Sequence, residues 1–200
     1  MSDVALQPPP PLPTGSVSHR SAGWWAMLCG IITEAALFAY LLFSYYYFAI
    51  QPHAGAWPPE PMGFALSLPN TVILLLSSVA VWWAERGTHE AARWKQLLGL
   101  LIAIGLGLVF VTVQLFEWKS RSFSVSSHPY GSLYFTITGF HMAHVVVGLM
   151  ILLALLVWEA LGYFGPHRDA PPSIGAIYWH FVDAVWLAVF FTFYVTPHLG

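Results

Sequence analysis

The residues best suited to chemistry sit in two apolar stretches. Residues 138–148 read "TGFHMAHVVVG" and residues 178–187 read "YWHFVDAVWL". His141 and His144 stand three apart, as do His180 and Asp183, a spacing that puts each pair on one face of a helix. Glu34, in "IITEAALFAY", is a fifth ionisable group within an apolar run. Imidazoles and carboxylates together make a ligand set for a metal ion. They also make proton carriers, or hydrogen-bonding groups that stitch helices together in lipid. Residue types alone leave all three chemistries open. A second pair, Gln114 and Glu117 in "VTVQLFEWKS", has the same spacing, and the nearby Lys119 suits Glu117 to an interface. Glu159 reads as interfacial too. His53, His89, His128, His167 and His198 fall in loops or at segment ends and receive no role.

The elements that must hold these side chains follow from composition. Of 200 residues, 58% are hydrophobic and only 8% charged, against roughly 25% charged in soluble domains. Five apolar segments, about 23–50, 64–84, 97–118, 131–158 and 174–196, each reach the ~20 residues that a helix needs to cross the hydrocarbon core. Backbone amides in lipid must be satisfied within the chain, which requires helices, and alternating segments of about ten residues, as in a membrane barrel, are absent from the sequence. The fold class is therefore all-α, an integral membrane bundle of five transmembrane helices. Trp24, Trp25, Tyr45, Tyr46, Tyr47, Trp82, Trp83, Trp118 and Trp158 cluster near segment ends, as interfacial belts do. Pro69 lies near the start of the second segment, where a missing amide costs least. Gly99, Gly105 and Gly107 read as small-residue packing in the third. At ~1.5 Å per residue, Glu34, His141, His144, His180 and Asp183 are expected to converge in one layer.

Residues 1–22 are polar and proline-rich ("LQPPPPLPTGSV"), an extended tail without the basic start and apolar centre of a secretory signal. Residues 23–198 then form one membrane domain. Arg20, Arg86, Arg93, Lys95 and Arg168 share one side, while Lys119 and Arg121 lie on the other. This bias places the N-terminus in the cytoplasm and the C-terminus outside, in an inner (cytoplasmic) membrane. The net charge of −2 offers no basic stripe to nucleic acid. The single cysteine, Cys29, excludes an intrachain disulfide and reads as a small apolar residue. An independent proton-coupled transporter would be expected to show an internal repeat or a broken helix pair, and neither is visible.

The ordered set "IITEAALFAYLLFSYYYF", "WPPEP", "LPNTVILLLSSVAVWWA", "QLFEWKSRSFSVSSHPYGSLYFTITGFHMAHVVVG" and "YWHFVDAVWLAVFFTFY" resembles subunit III of the haem-copper respiratory oxidases. The resemblance runs in order over roughly residues 23–198, in a short five-helix form that starts where the third helix of seven-helix members would be. It implies an accessory, cofactor-free subunit, with haem and copper in partner subunits I and II. Such a subunit packs on subunit I, holds phospholipids, supports sustained turnover and proton uptake, and is linked to oxygen access; a larger respiratory supercomplex is a further expected partner. It implies no metal at Glu34, His141, His144, His180 and Asp183, which become a buried polar network fixing helix packing. The family's Q-x-x-E pair maps to Gln114 and Glu117. Family members often carry an arginine near the inner end of the fourth helix, suited to a lipid phosphate. Trp158-Glu159 stands there instead, which counts against lipid binding at that spot. Two alternatives remain beside the oxidase: a subunit-III-like component of a nitric oxide reductase, and an independent proton-coupled or metal-binding membrane protein. The electron donor, cytochrome c or quinol, is not encoded in this chain.

Overall fold

The computed structural model describes residues 21–52, 57, 63–90, 92–163 and 170–198. Five helices are each long and apolar enough to cross a membrane. They are α1 (Ala22–Ala49), α2 (Phe64–His89), α3 (Arg93–Lys119), α4 (Pro129–Ala160) and α5 (Ala170–Phe190). A π turn (Phe191–Val195) and a 3-10 turn (Thr196–His198) extend α5. The proline-rich tail through Arg20, His53, most of the "WPPEP" loop, His167 and Arg168 lie outside the described residues. The end of the bundle where α1 begins, with the α2–α3 and α4–α5 connections, is the proximal end; the opposite end is distal.

Local chemistry sets the helix ends. Ser21 caps α1 by accepting from the Trp24 amide at 3.3 Å. His128 caps α4 in the same way through its ring Nδ1, which accepts from the Gly131 amide at 2.9 Å, and Pro129 fills the first turn. At the far end of α4, Gly162 takes φ = 77°. Its amide reaches Glu159 O and the Tyr163 amide reaches Trp158 O, a pair of bonds that closes the helix and needs a left-handed residue there. Helices α2 and α3 run past the apolar segments that predicted them, to His89 and back to Arg93. The added turns are polar, and the Lys95 ammonium bonded to Glu90 holds that exposed carboxyl below its usual range.

Packing then follows side-chain size. A Cβ on Gly99 would lie 2.8 Å from both Ala80 O and Ala84 Cβ, so α2 and α3 meet backbone to backbone. Gly107 of α3 and Gly148 of α4 receive Trp179 of α5, and a Cβ on Gly148 would sit 2.8 Å from its ring. The same indole donates to Ser77 Oγ of α2 at 3.0 Å. One side chain thus joins four helices. A Cβ on Gly105, expected to pack, would meet no other side chain or helix within 4 Å among the described residues. Helices α2 to α5 form the core, and α1 leans on the α4–α5 edge with only Phe38 and Tyr45 buried. Tyr45 is therefore core, ringed by Trp57, Tyr130 and Phe193, and not part of an interfacial belt.

Candidate functional site

The five mid-membrane ionisable residues separate into two bonded sets and one isolated ring. Glu34 Oε2 of α1 lies 3.1 Å from His144 Nε2 of α4. The other ring nitrogen, Nδ1, is 2.7 Å from Phe140 O, an acceptor only, so Nδ1 carries hydrogen. The contact to Glu34 then needs one further proton, held on either the imidazole or the carboxyl. This bond and that of Tyr46 Oη to Thr192 Oγ1 at 3.2 Å tie α1 to the core, and Glu34 keeps 42% of its side chain uncovered by the chain.

On the α2–α5 seam, Ser78 donates to Asp183 Oδ2, and its Oγ lies 2.9 Å from His180 Nδ1. When Asp183 is ionised, the single hydroxyl proton goes to its carboxylate, and Ser78 accepts from His180 Nδ1–H. Asp183 Oδ1 is buried with no hydrogen-bond partner among the described residues. His141 joins neither set. It is 1% exposed, neither ring nitrogen has a hydrogen-bond partner among the described residues, and its ring lies between Trp186 (4.9 Å) and Phe110 (6.0 Å). Three residues along a helix is a rotation of about 60° short of a full turn. That offset turns His144 toward α1 and His141 toward α3 and α5, which explains why the expected single layer of five is not a single network.

Two further clusters close the bundle ends. Distally, Glu117 is buried, pairs with Arg121 one turn on, and accepts from Tyr194 Oη at 2.7 Å. It pairs with Arg121 and Tyr194 and not with Lys119, because the π turn of α5 carries Tyr194 inward onto it. Gln114 is buried beside it, with no bond to Glu117 and no partner for either amide atom. Proximally, Glu159 is only 3% exposed, at the end of α4. Gln96, with its amide oxygen accepting from Thr88, donates to both Glu159 oxygens at 2.8 and 3.1 Å. Arg93 lies 3.8 Å from the same carboxylate and donates to the Ala160 carbonyl at 2.7 Å, closing the end of α4. Sequence reasoning missed Ser78, Tyr194, Arg121, Arg93 and Gln96 as partners. The available signals were the Ser77–Ser78 pair inside an apolar run and the i, i+4 spacing of Glu117 and Arg121. Among the described residues no three His, Cys, Asp or Glu side chains converge as a metal site requires.

Fold and site together define a multi-pass membrane protein whose buried polar groups are spent mainly on joining helices. Comparison with known proteins carries this further. Residues 18–197 match the family described as "Cytochrome c oxidase subunit III". Similar relatives include cytochrome c oxidase subunit 3 of Ornithorhynchus anatinus, 36% identical over 177 residues that cover 85% of this chain and 68% of the relative. The subunit of Artemia franciscana is 37% identical over 174 residues (85% and 67%), and that of Equus caballus 34% over 177 (85% and 68%). The chain belongs to the cytochrome c oxidase subunit III family of the haem-copper oxidases. It is thus a subunit III of a cytochrome c oxidase, and this role implies a complex with other oxidase subunits.

Proposed function

We propose that this chain is an accessory buttress: it packs on subunit I, keeps that subunit intact through repeated turnover, and carries no redox centre of its own. The observation that carries the reading is the pairing of Glu34 with His144, Glu117 with Arg121 and Tyr194, and Glu159 with Gln96 and Arg93. Each pair satisfies groups that lipid cannot and locks neighbouring helices in register. Haem and copper belong to subunits I and II, and residues 23–198 act as one domain behind the tail of 1–22. The N-terminus is cytoplasmic and the C-terminus outside, in the cytoplasmic membrane, consistent with Arg86, Arg93 and Lys95 lying at the proximal end.

Lipid and oxygen access have a physical counterpart in an open groove of about 330 Å³ between α1 and α5. Ala35, Ala39, Ala184 and Ala188 line it with Phe38 and Phe181, leaving apolar room for an acyl chain. Proton uptake by subunit I is supported from the same complex. The test is to purify the oxidase with and without this chain and follow turnover. Normal initial activity followed by progressive inactivation of the depleted enzyme is expected. Loss of haem reduction from the first turnover would overturn the reading, since it would make the chain part of the electron path.

A further inference from the structure

We propose that His180, Ser78 and Asp183 form a proton-accepting string along the α2–α5 seam, with Asp183 as its buried terminus. With Asp183 ionised, the hydrogen bonds have one direction. His180 Nδ1–H donates to Ser78 Oγ at 2.9 Å, and Ser78 donates to Asp183 Oδ2. Both protons point at the carboxylate. A serine hydroxyl passes a proton only by accepting one as it releases one, so the string inverts as a unit. A proton arrives at His180 Nε2, the Nδ1 proton moves to Ser78, and the Ser78 proton moves to Asp183. Afterwards Asp183 donates to Ser78 and Ser78 donates to the freed Nδ1 lone pair. One proton has entered and one is stored, with no change of oxidation state. A second cannot follow until the first leaves, because the ring is now the other tautomer.

The terminus is built for such storage. Asp183 is 4% exposed, its Oδ1 has no hydrogen-bond partner among the described residues, and its Oδ2 is held by one neutral hydroxyl. An unpaired carboxylate in a lipid-spanning layer is costly, so a proton that neutralises it is held there. Supply comes from the proximal end. Glu85 stands two turns from Ser78 on the same face of α2, toward that end. Among the described residues, Ser78 is the only side chain hydrogen-bonded to His180 or Asp183. The string is independent of the accessory role, since a packing subunit functions with or without it.

The experiment uses the intact oxidase complex and infrared difference spectra between acid and alkaline pH, with deuterium exchange. A carboxylic acid band is expected in the parent and is expected to vanish in Asp183→Asn. Ser78→Ala and His180→Gln keep Asp183 but break the relay, and each is expected to slow deuteration of that band about tenfold, the effect of one lost hydrogen bond on a barrier. A band that persists unchanged in Asp183→Asn overturns the proposal, as does parent-like exchange in both relay variants. Should Asp183→Asn fail to assemble, the two relay variants decide the matter alone. Turnover stability, measured on the same preparations, reports separately on the accessory role.

Discussion

At the scale of single residues, the carboxylates differ in what breaking them should cost. Glu34–His144 is half-covered and makes one bond, so Glu34→Gln is expected to lose about 1 kcal/mol, typical of polar ties between membrane helices. A double-mutant cycle with His144→Asn on the thermal unfolding of the complex checks this, through a coupling of similar size. Glu117 is different. Its removal leaves Arg121, itself 18% exposed, facing a buried phenol without its counter-charge. Glu117→Leu is expected to cost about 3–5 kcal/mol, read as loss of the chain from the purified complex, whereas Tyr194→Phe removes one bond and about 1–2 kcal/mol. The residue types and their i, i+3 spacing were legible in the sequence. The partners were not, because Ser78, Tyr194 and Arg121 lie on other elements or on turns whose facing depends on tertiary packing.

At the scale of elements, glycines decide how closely helices approach. Gly148→Leu puts a branched side chain where the Trp179 ring now lies, and overpacking of this kind costs about 1–3 kcal/mol. Gly105 is the control: with open space around it, Gly105→Ala is expected to be neutral or to stabilise by up to about 1 kcal/mol. Melting temperatures of the two complexes should move in opposite directions or differ plainly. The three glycines of α3 look alike in sequence. Only the wedge of Trp179 between α3 and α4 separates Gly107, which packs, from Gly105, which does not. The π turn of α5 was equally hidden. Pro197 signals that the helix must end, since it has no amide to donate, but not that the preceding turn widens and carries Tyr194 onto Glu117.

At the scale of the whole molecule, α1 exposes Ile32, Tyr40, Phe43 and Tyr47, and α2 to α4 expose many more large apolar side chains. These surfaces need lipid or partner chains, and a partner that binds only the folded form raises its stability by mass action. The chain produced without the oxidase core is therefore expected to melt at a lower temperature in detergent than within the complex, by circular dichroism followed on heating. An equal melting temperature would mean that the bundle stands alone. The sequence by itself determined the solvent, the helix count, their approximate limits and the family resemblance, because each depends on composition and on periodicity along one segment. Tertiary structure alone decided which of five similar polar residues meet. Two bond across seams through Ser78, two across the α1 edge, and His141 ends among aromatic rings. The physical reason is angular: a fraction of a helical turn redirects a side chain from one neighbour to another, and that fraction is fixed by how Trp179 and the glycines seat the helices together.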